Sequence, residues 1–191
     1  MEKRKIGIDI DETLADTMIW INRFYNFYQG TNFVFEDYKT YPLWETWGIT
    51  KEKHNLIIED FFKSSFFESI KPIEGSQEAI RILSKDYGLT SITSRHGSIH
   101  HKTLGFVRNY FPEIKKIVSN GGRNKKYSKL DVCLENKIGY FIDDSKEIIE
   151  ECAEGGIFCF LMDKPWNQNC EHENITRVKG WKEILEKLNA N

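Results

Sequence analysis

The sequence is poor in the features that mark several large classes of protein. Its four cysteines, Cys133, Cys152, Cys159 and Cys170, form no CxxC pair and no zinc-like spacing. That argues against a disulfide scaffold or a structural zinc domain, and most of these cysteines sit in apolar company, where reduced thiols pack as small hydrophobes. No apolar run is long enough to span a bilayer. Met1-Glu-Lys-Arg-Lys opens like an export signal, but Gly7, Asp9 and Asp11 interrupt the hydrophobic stretch that should follow. The expected location is therefore the cytoplasm. Internal repeats and low-complexity linkers are missing. An excess of one charge is missing too: 27 basic against 29 acidic side chains leave a formal net charge of −2. That balance argues against a protein that holds nucleic acid chiefly by neutralising phosphates. A small anionic substrate needs only one local positive site and remains open.

The residues that are present describe an ordinary globular chain, 40% hydrophobic and 29% charged, with aromatics rather rich at 14%. Short β-like runs alternate with helical patterns, which predicts a Rossmann-like α/β fold with a parallel sheet. The runs are 5–10, 89–93, 116–118, 138–142 and 157–161, each bounded by glycine or polar residues. Between them, apolar residues recur at spacings of three and four. Ile80 and Leu83 form one stripe; Ile99, Thr103, Phe106, Val107 and Tyr110 form another. Ile148, Ile149 and Cys152 follow Ser145, and Trp181, Ile184, Leu185 and Leu188 close the chain.

Residues 14–70 break the alternation. They carry a helical stripe (Leu14, Met18, Ile21, Tyr25, Tyr28), a polar-aromatic stretch over 32–47, and a helix-like segment over 51–62. This is more chain than a βα connection needs. The expectation is a small helical cap over 14–70, resting on the carboxyl edge of a core made of 1–13 and 71–191. The aromatics of this segment, among them Tyr38, Tyr41, Trp44, Trp47, Phe61 and Phe66, have two readings: the cap's own core, or the lining of a substrate pocket. Trp44 and Trp47 are the candidates for substrate contact, because their stretch reads as a loop.

The first apolar run ends Ile8-Asp9-Ile10-Asp11-Glu12-Thr13 and the fourth ends Phe141-Ile142-Asp143-Asp144-Ser145. Along a continuing strand Asp9 and Asp11 share a side. Open parallel sheets bind ligands at this carboxyl edge. Adjacent carboxylates there are electrostatically costly unless something positive compensates. If the two acidic ends are neighbours in space, they form an oxygen-rich site for a hard cation such as Mg²⁺. The second run ends Thr93-Ser94-Arg95, groups that suit a phosphoryl oxygen, and Lys129 offers a further positive charge. Asp-Glu-Thr and Asp-Asp-Ser are each also good helix N-caps. Capping does not account for both together with Thr93-Ser94 between them and Lys129 before the second. The five histidines show no ligand spacing, and His96 reads as a solvated loop residue.

Taken in order, Asp9-Ile10-Asp11-Glu12-Thr13-Leu14, Thr93-Ser94, Lys129 and Asp143-Asp144 resemble the motifs of the haloacid dehalogenase superfamily of phosphohydrolases. Pro72-Ile73-Glu74-Gly75, Thr93-Ser94-Arg95 and Asp163-Lys164-Pro165-Trp166-Asn167 are similar to the 5′(3′)-deoxyribonucleotidase group within it. Glu12 departs from that group, which often has glycine there, and Lys125 and Lys126 compete with Lys129 for the role of the motif's lysine. The resemblance implies a Mg²⁺-dependent phosphatase acting on a small phosphorylated substrate, with a nucleotide expected. Asp9 would be the nucleophile and Asp11 the acid–base. Thr93, Ser94, Arg95 and Lys129 would hold the phosphate, and the metal would sit among Asp9, Asp11 (through its backbone carbonyl), Asp143 and Asp144. The alternatives are a phosphatase for another small ester or for a nucleic-acid 3′ phosphate, and a non-catalytic binding module of the same fold.

Overall fold

The computed structural model describes residues 3–120 and 127–189. Its centre is a six-stranded sheet in the order β3-β2-β1-β4-β5-β6. The strands are β1 Lys5–Ile8, β2 Gly88–Thr93, β3 Lys116–Ser119, β4 Tyr140–Asp143, β5 Phe158–Met162 and β6 Ile175–Val178. Every pairing is parallel. This is the Rossmann-like α/β architecture that the alternating pattern predicts. A parallel sheet is covered on both faces, which is why its strands read as near-continuous apolar runs. Ile6, Ile8, Ile92, Phe141, Ile142 and Phe160 are all fully buried. Burial on that scale contributes roughly 1.5–3 kcal/mol per large side chain.

The chain builds β1, β2 and β3 toward one edge, then returns to place β4, β5 and β6 on the other side of β1. The order reverses between β1 and β4, so their carboxyl ends diverge and open a crevice. Asp9 stands at one lip and Asp143-Asp144 at the other, and the Asp9 N–H donates to the Ile142 carbonyl at 2.9 Å. Close approach here depends on Gly7 in the middle of β1. A Cβ on Gly7 would lie 2.8 Å from Phe141, 3.0 Å from Ile92 and 3.2 Å from Ile138.

Between β1 and β2 the chain forms α1 Thr17–Gln29, α2 Leu43–Trp47, α3 Lys51–Lys63 and α4 Ser65–Glu68 before α5 Ser76–Leu83 returns it to the sheet. The inserted helices carry their own aromatic packing. Tyr25 stacks on Trp47 with centroids 3.9 Å apart, and Phe24 meets Phe61 and Phe66 edge-on at 5.6 and 5.7 Å. The hydroxyl of Thr50 accepts from the Lys53 N–H and caps α3. The remaining helices are α6 His100–Tyr110, α7 Lys129–Glu135, α8 Lys146–Glu154 and α9 Trp181–Asn189. Among the described residues no helix is long and apolar enough to cross a membrane.

The structure departs from the sequence reading in a few places. β6 was not expected: Ile175-Thr-Arg-Val is a short edge strand, and its polar interior hides the pattern. β1 stops at Ile8 rather than Ile10, because the backbone then turns, with Leu14 and Ala15 N–H donating to the Ile10 carbonyl at 2.8 and 2.7 Å. Asp9 and Asp11 therefore do not share a side by strand alternation; the turn sets where Asp11 lies. The stretch around Trp44 is a short helix, closed by Gly48 in the left-handed region at φ 62°.

Gly7→Ala should fold but lose about 1–3 kcal/mol of stability, the usual cost of overpacking a filled core. Chemical denaturation checks this; an unchanged midpoint would mean that Phe141 and Ile92 yield freely.

Candidate active site

The loop after β1 carries the first acidic residues. Glu12 takes φ 56°, a left-handed conformation that glycine adopts at least cost. The carboxylate of Glu12 offsets that strain. It accepts from the Met18 N–H at 2.6 Å at the start of α1 and from the Lys164 ammonium at 3.0 Å. Asp16, at the N-cap position, makes no side-chain cap bond, so Glu12 serves that end of the helix instead.

Lys129 opens α7, whose N-terminus is fixed by a capping box. Ser128 Oγ accepts from the Asp131 N–H at 3.1 Å, and Asp131 accepts from the Ser128 N–H at 2.8 Å. The Lys129 side chain is buried. Its Nζ donates to Asp9 Oδ1 at 2.6 Å and to Asp143 Oδ2 at 2.7 Å. The other oxygen of Asp143 accepts from the Ser145 N–H at 2.8 Å, and Asp144 Oδ2 accepts from the Trp166 indole N–H at 2.9 Å. One carboxylate oxygen from each of Asp9, Asp143 and Asp144 lies within 4.8 Å of the others, all three residues being buried.

With all three ionised, the carboxylates would exceed the one ammonium by two negative charges in this cluster. Burial pushes the Asp9 carboxyl up to about 7; Lys129 opposes the rise, while Asp143 and Asp11 add to it. Asp144 is raised strongly, by burial first and then by Asp143, Asp9 and Glu12. Lys129 stays protonated because Asp143 and Asp9 outweigh the burial that would lower it. A buried all-oxygen donor set short of two positive charges fits a divalent metal ion.

Asp11 has a different environment. Its carboxylate receives both Arg95 Nε and Nη2, with bonds of 2.7 to 3.1 Å, and the Thr17 hydroxyl at 2.5 Å. Burial would raise its pKa, but the Arg95 guanidinium wins and holds it below the ordinary carboxylate range. Arg95 is itself enclosed between the Phe67 and Phe106 rings at 5.3 and 5.8 Å. Its guanidinium therefore sits on Asp11 rather than standing free as a phosphate ligand, and the side chain of Asp11 lies outside the three-carboxylate group. Thr93 Oγ1 accepts from the Arg95 N–H at 3.1 Å, and the buried Ser94 hydroxyl has no partner among the described residues.

The inserted helices place their aromatics unequally. Trp47 is buried, stacked on Tyr25, and donates its indole N–H to the Tyr38 hydroxyl at 2.9 Å; it is committed to packing. Trp44 is half-buried, with His54 edge-on at 5.1 Å and the Lys51 ammonium 5.4 Å from its ring centroid. Tyr41 was not singled out for substrate contact from the sequence. The residue is 57% exposed, yet its hydroxyl end is crowded by protein and by Asp144, Asp11 and Asp9, which raise its pKa. Burial of the hydroxyl comes first in that rise, and the three carboxylates add to it. Thr17, Lys164 and Trp166 also touch the acidic residues; Thr17 has no part in the sequence reading, which marks Lys164 and Trp166 only as members of a motif, without a site role. For the last two the available signal was their position, just past a strand at the carboxyl edge. Lys125 and Lys126 lie outside the described residues.

Comparison with known proteins agrees with this geometry. The chain is similar to a Streptococcus pneumoniae hydrolase of the haloacid dehalogenase-like family, with a TM-score of 0.71 and 15% identity over 97% of this chain and 98% of the other. It is also similar to Bacillus subtilis YfnB, described as a haloacid dehalogenase hydrolase and bound to magnesium in its crystal structure, with a TM-score of 0.66 and 17% identity over 99% and 100% of the two chains. At such identities the likeness speaks to the fold. Fold and motifs together define a phosphohydrolase of the haloacid dehalogenase superfamily. Within that class, residues 3–190 match the family described as 5′ nucleotidase, deoxy (Pyrimidine), cytosolic type C, and the chain belongs to it. A 5′(3′)-deoxyribonucleotidase of Bacillus subtilis is 30% identical over 97% of this chain and 99% of its own length. The protein is an enzyme, a nucleotidase-type phosphatase.

The raised carboxyls set the pH dependence of the metal-free chain. Asp9 binds its proton more tightly folded than unfolded, at about 7 against 3.8, so the folded state holds more protons between those values. Stability then falls as pH rises through that window. Asp11, whose pKa is lowered, changes stability only below its ordinary value and does not oppose this. In chelator the melting temperature should be lower at pH 8 than at pH 6, and a divalent ion should raise it more at pH 8. Calorimetry showing the reverse order would contradict the assignment.

Proposed function

We propose that the enzyme is a Mg²⁺-dependent 5′(3′)-nucleotidase that attacks deoxynucleoside monophosphates with the Asp9 carboxylate. The observation that carries this reading is the Asp9–Lys129–Asp143 bridge with Asp144 beside it and two negative charges left to be met. The nucleotide class rests on the family description and on the named activity of the Bacillus subtilis relative. The four cysteines are free and buried, which suits a reducing cytoplasm.

Mg²⁺ held by Asp9, Asp143 and Asp144, with the Asp11 backbone carbonyl, would offset the charge of an approaching phosphate and of the transition state. Asp9 is the nucleophile: its oxygen bonds to phosphorus as the ester P–O bond breaks. Asp11, protonated from solvent once Arg95 lets go of it, gives that proton to the departing oxygen, then takes one from the water that hydrolyses the aspartyl-phosphate and frees Asp9. Arg95 governs that proton. While it grips Asp11 the carboxyl is a weak base; when a phosphoryl oxygen draws the guanidinium away, the proton affinity of Asp11 rises. Lys129, Thr93 and the unpartnered Ser94 hydroxyl hold the other phosphoryl oxygens.

Residues 14–70 act as the cap. Tyr41 lies close enough for the carboxylate charges to act on its hydroxyl, and Trp44, carried on the helix that Trp47 anchors, offers a surface on which a base can stack. Closure of the cap over the crevice excludes bulk water from the reacting phosphate.

Asp9→Asn should abolish phosphate release while leaving fold and phosphate affinity intact. Turnover within about tenfold of the parent, only ~1.4 kcal/mol, would rule Asp9 out as nucleophile. A phosphate-release screen over nucleoside monophosphates, their deoxy forms and sugar phosphates, with and without Mg²⁺, tests the substrate class. A preference for sugar phosphates would overturn the nucleotide reading.

Trp44→Ala should lower kcat/KM for a deoxynucleotide by roughly ten- to a hundredfold, since base–aromatic stacking contributes about 1–3 kcal/mol. A small aryl phosphate should be barely affected. Equal losses on both substrates, with a fall in melting temperature, would make Trp44 a packing residue.

A further inference from the structure

The loop after β5 supplies no reacting group, yet it holds Asp144 from two sides. The Trp166 indole N–H donates to Asp144 Oδ2 at 2.9 Å, and Trp166 is buried. Asn167, fully buried beside it, donates through Nδ2 to the Asp144 carbonyl at 2.8 Å and to the Met162 carbonyl at 2.7 Å. One loop thus fixes both the backbone and the side chain of this acidic residue.

The loop is anchored in turn. Arg177 on β6 donates to Asn167 Oδ1 at 2.7 Å, to the Asn167 carbonyl at 2.6 Å and to Asp163 Oδ1 at 2.8 Å. Lys164 donates to Glu12, so the same loop also grips the turn that follows β1. From the cap, Phe35 meets the Trp166 ring at 60° with centroids 5.3 Å apart, and the Lys164 ammonium lies 5.8 Å from the Phe35 centroid. A cap residue therefore touches both side chains through which the loop reaches the acidic turns.

We propose that Trp166 is a positioning residue for Asp144, and that Phe35 makes this positioning depend on where the cap sits. The proposal rests on the reading above that Asp144 binds Mg²⁺. An indole offers one donor and no acceptor on a rigid ring, so the bond fixes the rotation of the carboxylate and leaves lone pairs on both oxygens for a cation. The indole ring moves as one body. A displacement of Phe35 that tilts it also moves the N–H that holds Asp144. Partners of this kind typically set metal affinity by about ten- to a hundredfold.

The test is calorimetric titration of the full chain with MgCl₂, together with its unfolding temperature in chelator. Trp166→Phe removes the N–H and keeps a ring against Phe35. It should raise the Mg²⁺ Kd at least about tenfold while the metal-free unfolding temperature changes little. Phe35→Leu keeps bulk and removes the edge contact; it should raise the Kd roughly threefold, and the double variant should fall short of the product of the two. A parent that binds Mg²⁺ with an affinity that Trp166→Phe leaves unchanged overturns the positioning role. If Trp166→Phe does not fold, Phe35→Leu decides, and an unchanged Kd there overturns the proposal. A parent with no saturable Mg²⁺ binding, indistinguishable from Asp144→Asn, overturns the metal-site reading itself and the proposal with it.

Discussion

The catalytic edge of this fold depends on one buried ammonium. Lys129 reaches across from α7 to bridge the residue after β1 and the last residue of β4, at 2.6 and 2.7 Å. Both strands end in carboxylates that repel each other, and only a positive charge lets them stand at neighbouring positions in an apolar sheet. Removing Lys129 would leave these buried carboxylates with no counter-charge, a loss of several kcal/mol. The capping box that starts α7 therefore does more than end a loop. It delivers the lysine to a crevice that the reversal of strand order has opened.

Around that bridge the neighbouring charges are matched in pairs that join different elements. Arg95, just past β2, is matched to Asp11; Lys164, just past β5, is matched to Glu12. Each pair is locally neutral, whereas the Asp9, Asp143 and Asp144 group is not. The imbalance is confined to one spot, which is what a divalent cation site requires. Glu12 also shows how a departure from a motif can be absorbed. Its left-handed backbone suits glycine, but a glycine could neither cap α1 nor hold Lys164.

The inserted helices divide their aromatics between architecture and exposure. Tyr25, Phe24, Trp47 and Phe61 form a buried aromatic group that is continuous with the core of the sheet. Phe35 and Tyr41 sit where this segment faces the acidic loops. The segment meets the rest of the chain through that shared core, at the crevice and along Lys102, which donates to the Phe62 carbonyl at 3.0 Å. Motion of the segment at the crevice would be felt first by the loops carrying the acidic residues.

Much of this is legible in the amino-acid sequence. Parallel strands are covered on both faces, so the central strands announce themselves as apolar runs, and acidic residues at the ends of two of them stand out because burial makes them costly. The spacing of Ile80 and Leu83, or of Ile148, Ile149 and Cys152, likewise marks helices without reference to anything distant. β6 escaped because an edge strand has less apolar face to show. The remaining features depend on contacts between residues far apart in the chain. Trp44 and Trp47 belong to the same short stretch, but Tyr25 and Tyr38 commit Trp47 to the interior while Trp44 stays partly open. Arg95 looks like a free phosphate ligand until Asp11 is seen to occupy it, and Trp166 is only one letter of a motif until its N–H is found on Asp144. Local pattern determines which face of an element is buried, because that follows from periodicity alone. Which charge meets which is decided only when the sheet brings the strand ends together, because Coulomb and hydrogen-bond energies depend on distances that linear spacing does not contain.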